Sequence, residues 1–177
     1  MRIICFTLAI LILAACGKTR HKQKSIQLIT AAAQQDSIFR NLTAVTDKVL
    51  PVTSRQDSLA FLILPVQASC PSCRKKTIDS IVDHQRDLRE NHFIIISATG
   101  GRKTINGYFR DQDKELPVMG NKLLLDSANR SYKLDLCHDR PTIYYAYGGK
   151  VYKKVSAIPA TVREDLREFF SGYRNDQ

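Results

Sequence analysis

Cys70-Pro71-Ser72-Cys73 is the stretch of this 177-residue chain whose residue types and spacing could do chemistry. Two cysteines separated by two residues support three readings: a redox couple, half of a metal site, or a plain structural disulfide. Thiol–disulfide exchange needs a thiolate that attacks and a second thiol close enough to resolve the mixed disulfide. On the first turn of a helix, positions i and i+3 put two sulfurs on one face. Cys70 then stands at the helix N-terminus, where unpaired backbone N–H groups favour the anionic thiolate. Pro71 suits the first helical turn, because its missing N–H costs nothing there. A metal site would draw on Cys70, Cys73, Cys137 and His138, since soft thiolates with an imidazole suit zinc or copper(I). By default Cys137 is a partly buried apolar side chain and His138 a surface histidine, so no metal or other cofactor is expected.

The flanking sequence has to build the elements that hold the pair. "SLAFLILPV" from Ser58 is a continuous apolar run, the pattern of a strand buried on both faces. After the cysteines, Ile78, Ile81, Val82 and Leu88 fall on one side of a helix. "HFIIISATG" from His92 reads as a second buried strand, closed by Gly100-Gly101. "TINGYFRDQ" reads as a short helix with Ile105, Tyr108 and Phe109 inward. "NKLLLDSANRSYKLDL" mixes strand and turn signals. "PTIYYAYGGKVYKKV" is a hairpin about Gly148-Gly149. A closing helix runs from Ala160 to Ser171, with Val162, Leu166, Phe169 and Phe170 inward and Gly172 as its stop. Upstream, Ile26, Ile29 and Ala33, then Ile38, Leu42, Val45 and Val49, step by three and four. That spacing predicts a helix from Ile26 to Leu50, ended by Pro51. The order of elements predicts an α/β domain, residues 26–177, with a mixed central sheet and helices on both faces.

The chain ends bear on the compartment. "MRIICFTLAILILAACGKTR" places Arg2 before an apolar run from Ile3 to Leu13. The run is shorter than the roughly 20 residues that span a bilayer and has the size of a signal-peptide core. It ends in Leu13-Ala14-Ala15-Cys16, which resembles the bacterial lipobox. That resemblance implies a signal peptide over residues 1–15, lipidation of Cys16 and membrane attachment through that lipid. No aspartate follows Cys16, which points to the outer membrane facing the periplasm. Residues 16–25 read as a basic tether whose Lys18, Arg20, Lys22 and Lys24 suit anionic head groups. The formal net charge of +10 is otherwise scattered along the chain. It reads as surface chemistry and membrane proximity, with no nucleic-acid partner expected. Cys5 leaves with the signal and Cys16 carries lipid, so Cys70, Cys73 and Cys137 remain. An odd count in an oxidising compartment leaves at least one thiol free or transiently paired.

A buried strand, a C-x-x-C at a helix start, a βα unit, a proline opening a hairpin and a final helix together resemble the thioredoxin fold, over about Leu59 to Tyr173. "LLLDSANRSYKLDLCHDRPTIYYAYGGKVYKKV" is similar to the later part of membrane-tethered TlpA-type thioredoxins. The resemblance implies a thiol–disulfide oxidoreductase of the bacterial cell envelope, with Cys70 as nucleophile and Cys73 as resolving thiol. Its partners would be thiol- or disulfide-containing envelope proteins. Pro141 matches the family's cis-proline, which presents backbone to substrate polypeptide. Arg140 before it would favour the thiolate or bind a partner carboxylate, unless it points to solvent. Two positions depart from the pattern. Leu64 stands where classical thioredoxins carry an acid, and Ser69 where an aromatic residue commonly precedes the first cysteine. Two alternatives stay open: a lipoprotein of this fold with a static Cys70–Cys73 bridge, and a Sco-like copper or metal-binding protein using Cys70, Cys73 and His138. Sco-type cysteines are usually separated by three residues rather than two.

Overall fold

The computed structural model describes residues 26–46, 49–50 and 57–171. Residues 1–25, on which the expected signal peptide, Cys16 and the basic tether fall, and Pro51 and Gly172 lie outside the described residues. In chain order the elements are β1 (Ile26–Leu28), α1 (Ala32–Thr46), β2 (Ser58–Pro65), α2 (Pro71–Asp83), β3 (His92–Ser97) and α3 (Gly101–Arg110). A 3-10 turn (Gly120–Lys122) then leads to β4 (Leu123–Asp126), α4 (Arg130–Lys133), β5 (Thr142–Tyr147), β6 (Lys150–Ser156) and α5 (Val162–Ser171). Among the described residues no helix is long and apolar enough to cross a membrane.

The six strands form one mixed sheet in the order β1-β6-β5-β2-β3-β4. β2, β3 and β4 run parallel, while β5 is antiparallel to both β2 and β6. Both faces are covered, which is why β2 and β3 read as unbroken apolar runs. Ala60, Leu62 and Leu64 of β2 pack on one face with Ile78 and Ile81 of α2, Ile105 and Phe109 of α3, and Leu166 and Phe169 of α5. Leu59, Phe61 and Ile63 pack on the other face with Phe39, Leu42 and Val45 of α1. The protein is thus an α/β domain of three layers, consistent with a thioredoxin-like architecture.

The first helix is shorter than its periodicity predicts. Ile26 to Leu28 form an edge strand on β6, with Ile26 opposite Val155 and Leu28 opposite Lys153. Ile29 is the first buried residue among the described residues, and its N–H donates to the Tyr152 carbonyl at 2.9 Å. Residues three apart lie on one face of a helix, but Ile26 and Leu28, two apart, also satisfy a strand. Pairing to an open sheet edge decides between them. α1 begins only at Ala32 and ends at Thr46, so Val49 lies beyond it. Leu88 is buried but also lies past the end of its helix, α2. The stretch of mixed signals resolves into the 3-10 turn, β4 and the four-residue α4. Asp126, at the end of β4, holds that switch. It accepts N–H groups from Arg130 at 2.8 Å and Ser131 at 2.7 Å, while Asn129 takes a left-handed φ of 52°.

The register fixes where loops converge. Pro65, Ser97 and Asp126 pair across β2, β3 and β4, so all three parallel strands end at one edge. β5 starts there too, with Thr142 opposite Ile63. The loops that carry Cys70, Gly100 and Pro141 therefore gather at the same end of the sheet.

Candidate functional site

β2 delivers the chain to the cysteine loop in two tight steps. The Val66 N–H donates to the Ser97 carbonyl at 3.1 Å, and the Ser69 N–H donates to the Pro65 carbonyl at 2.9 Å. The Gln67 side-chain oxygen accepts the Thr99 N–H at 2.7 Å, tying the loop to the one that precedes α3. Cys70 then takes an extended conformation as the N-cap of α2, and Pro71 fills the first turn. Its sulfur accepts the Cys73 backbone N–H at 3.1 Å, the role a serine or aspartate plays at most helix starts. The Ser72 hydroxyl lies 3.5 Å from the same sulfur.

Cys70 and Cys73 lie at disulfide-bonding distance, with Cα atoms 5.3 Å apart. Their exposures differ. Cys70 is partly exposed between the exposed Pro71 and Ser72 and the buried Ser69, whereas Cys73 is 0% exposed. Cys70 is thus the more accessible residue of the two. Leu64, where an acid would help deprotonate the second thiol, is fully buried within the α2-side cluster.

Pro141 is buried, and its carbonyl accepts the Ala157 N–H at 2.9 Å. The resemblance implies a cis bond at this proline. No described peptide bond is cis, and Arg140–Pro141 is trans. Trans is the intrinsically favoured isomer by about 0.5–1 kcal/mol, and nothing in the start of β5 demands the other. Arg140 is about a third exposed, and its Nε lies 3.6 Å from a carboxylate oxygen of Asp139.

No protein-family model matches this chain, and no curated protein matches it.

The other thiol and its neighbour lie in different surroundings. Cys137 is unpaired and 1% exposed, and it packs in the α1-side cluster with Leu136 and Tyr144. Burial pushes its thiol up to about 12, with the Asp126 carboxylate adding and Lys154 opposing. His138 points outward, with Nε2 2.8 Å from the exposed Asp135 carboxylate and its ring edge-on to Tyr132. Among the described residues no three His, Cys, Asp or Glu side chains converge as a metal site, so Cys70, Cys73 and His138 are not gathered into one.

Sequence reasoning missed Arg74. Its Nη1 donates to the Val66 carbonyl at 2.9 Å and approaches the Ser69 carbonyl at 3.4 Å, while its guanidinium stacks 4.6 Å from the centre of the Tyr108 ring. The signal was present: Arg74 is four residues after Cys70, the spacing that shares a helix face.

Proposed function

We propose that this protein is a thiol–disulfide oxidoreductase of the bacterial cell envelope, with Cys70 as nucleophile and Cys73 as resolving thiol. The observation that carries the reading is the asymmetry of the pair: a partly exposed cysteine capping a helix N-terminus, with a fully buried cysteine one turn behind. In the reducing direction, the Cys70 thiolate attacks one sulfur of a partner disulfide. A mixed disulfide forms and one partner thiolate leaves. Cys73, deprotonated, then attacks the Cys70 sulfur, closing the Cys70–Cys73 bond and releasing the second partner thiolate. The oxidising direction is the same sequence reversed. The N-cap position favours the attacking thiolate, and the fold holds Cys73 within reach, which makes resolution effectively intramolecular.

At the same end of the sheet, this reading gives a partner polypeptide the partly exposed Arg140, with the buried Pro141 behind it. Lipidation at Cys16 belongs to the same proposal and would attach the domain to the membrane, facing the periplasm in the outer-membrane case. Replacing Cys16 with serine should then move the protein from the membrane to the soluble fraction. The deciding experiment is equilibration of the full-length protein in glutathione buffers of graded potential, read by alkylation of Cys70 and Cys73. A two-electron midpoint within the range of known oxidoreductases, roughly −120 to −270 mV, supports turnover. A bridge that stays closed well below about −300 mV is a structural disulfide.

A further inference from the structure

Among the described residues six large hydrophobic side chains are exposed, and four of them, Ile26, Leu28, Tyr147 and Tyr152, lie on β1 and the β5–β6 hairpin. Scattered singly, such residues need no explanation. These follow one edge of the sheet. β1 is the outermost strand, all three of its residues are exposed, and it carries no charge. Edge strands are ordinarily blunted by charged side chains or proline. Ile26 and Leu28, two apart, share one face of the strand, opposite Val155 and Lys153. Val155 is buried in the cluster that includes Leu166 and Phe169 of α5, whereas Ile26 and Leu28 stay 47% and 69% exposed, so the cover stops short of the edge. Tyr145 and Ala146 pair with Lys153 and Val151, which leaves Tyr152 as the extra residue of a bulge. A bulge re-aims a side chain, and the Tyr152 carbonyl accepts the Ile29 N–H at 2.9 Å, which holds this residue against the end of β1. Lys153 pairs with Glu168 at 2.6 Å. Lys150, opposite Tyr147, and Lys154, opposite Gln27, form no ion pair among the described residues.

Aliphatic and tyrosine side chains interleaved with lysines suit a lipid interface, where apolar groups and rings sit at the head-group boundary and ammonium groups meet anionic phosphates. The chain upstream points to the same occupant. β1 begins ten residues after Cys16, and Lys18, Arg20, Lys22 and Lys24 fall between them. A trans chain spans at most about 3.3–3.6 Å per residue, so a lipid on Cys16 would keep Ile26 within about 35 Å of the bilayer. That short reach gives this edge a high effective concentration at the surface. We propose that the β1–β6 edge is a membrane-docking surface, lying on an anionic bilayer with Ile26, Leu28 and Tyr152 at the head-group boundary and Lys150 and Lys154 among the phosphates; this rests on lipidation of Cys16 in the reading above. With the edge lying flat, the strands run along the bilayer. Neighbouring strands lie about 4.8 Å apart, so β2, three strands in from β1, sits roughly 15 Å from that edge. β2 leads to Cys70, and the cysteine loop then faces along the membrane at that height, toward disulfides held close to the lipid.

The chain has no tryptophan, so one introduced ring reports its own surroundings. The test uses the full-length lipidated protein in vesicles of phosphatidylethanolamine and phosphatidylglycerol whose acyl chains carry bromine, which quenches tryptophan on contact. Leu28→Trp should be quenched at least about threefold more than Val118→Trp, which labels a 96% exposed residue on the segment leading to β4, the opposite edge strand. Ile26→Trp is the second reporter if Leu28→Trp does not fold. Replacing phosphatidylglycerol with phosphatidylcholine, or adding Lys150→Glu with Lys154→Glu, should cut the Leu28→Trp quenching by about half or more. Leu28→Trp quenching no stronger than that of Val118→Trp, in protein that floats with the vesicles, overturns the proposal and leaves lipidation intact. Quenching indifferent to lipid charge overturns it as well. A Leu28→Trp emission that shifts with protein concentration in detergent, without vesicles, marks two copies pairing edge to edge and also overturns it. If the protein does not float with the vesicles, lipidation of Cys16 has failed and takes this proposal with it.

Discussion

Cys70 and Cys137 are the same residue type in opposite settings. Cys70 caps a helix at the end of the parallel strands, partly exposed, with its sulfur accepting a backbone N–H. Cys137 lies on the α1-facing side of the sheet, 1% exposed among Leu136, Ile63 and Tyr144. Burial holds its thiol at about 12, so at neutral pH it carries no thiolate that could attack. On the redox reading proposed here, reactivity belongs to the end of the sheet, where strands stop and a helix begins. A thiol on the sheet's face is a small apolar side chain.

The largest effect that can break this comparison is a trap. Cys73→Ala should leave Cys70 bonded to partner proteins in cells, seen as larger species on gels without reductant that collapse when reductant is added. Cys70→Ala should show none. Cys137 is buried with its thiol pKa pushed up, so the account expects the single Cys73 variant to suffice. If the trap appears only after Cys137 is also replaced by alanine, the contrast drawn here is wrong.

His92 sharpens the comparison by applying the same burial rule to a base. It is 5% exposed against the Phe169 ring, and burial lowers its pKa from 6.5 to about 4, with a hydrogen bond to the Phe169 backbone opposing and Arg89 and Lys122 adding. The unfolded chain takes up this proton below pH 6.5, whereas the folded protein takes it up only near pH 4. The neutral imidazole's contribution is therefore complete above pH 6.5 and is lost as pH falls from there to about 4. The loss amounts to as much as about 3 kcal/mol. Urea unfolding at pH 7 and pH 4.5 should show this fall in wild type and a smaller one in His92→Leu.

Cys137→Ser is the next smaller effect. A hydroxyl replaces a thiol in an apolar cluster, which should cost about 1–3 kcal/mol of stability in thermal or urea unfolding. The redox midpoint of Cys70–Cys73 should not move. Smallest is His138→Ala. An exposed pair with Asp135 contributes at most about 0.5–1 kcal/mol, and neither stability nor midpoint should shift beyond that. Zinc or copper(I) raising the melting temperature of wild type but not of His138→Ala would instead restore a metal role for Cys70, Cys73 and His138.

Much of the frame was legible in the sequence for physical reasons. Strands buried on both faces leave unbroken apolar runs, as in Phe61 to Leu64 and Phe93 to Ile96. Helices with one buried stripe leave three-and-four spacing, as in Val162, Leu166 and Phe169. Elements that depend on a distant partner were not legible. β1 is a strand only because β6 offers an open edge, and α4 forms because Asp126 caps it. At the site, the cysteine spacing and Pro71 were enough to place a helix start. The fixed position of Arg74 was hidden, because it needs carbonyls from the β2–α2 loop and the Tyr108 ring from α3. The trans bond at Pro141 was equally hidden, since X-Pro isomers differ by too little for sequence to choose.

The most direct test of the central claim is the alkylation rate of each cysteine in the reduced, folded, full-length protein as pH is varied. Cys70 should react first, with a pKa below about 7.5, the upper end of the lowered range. Cys73 should follow more slowly, and Cys137 should stay unmodified until the protein unfolds. A Cys70 that titrates unshifted near 8.5, or a Cys73 or Cys137 that reacts faster, would contradict the account.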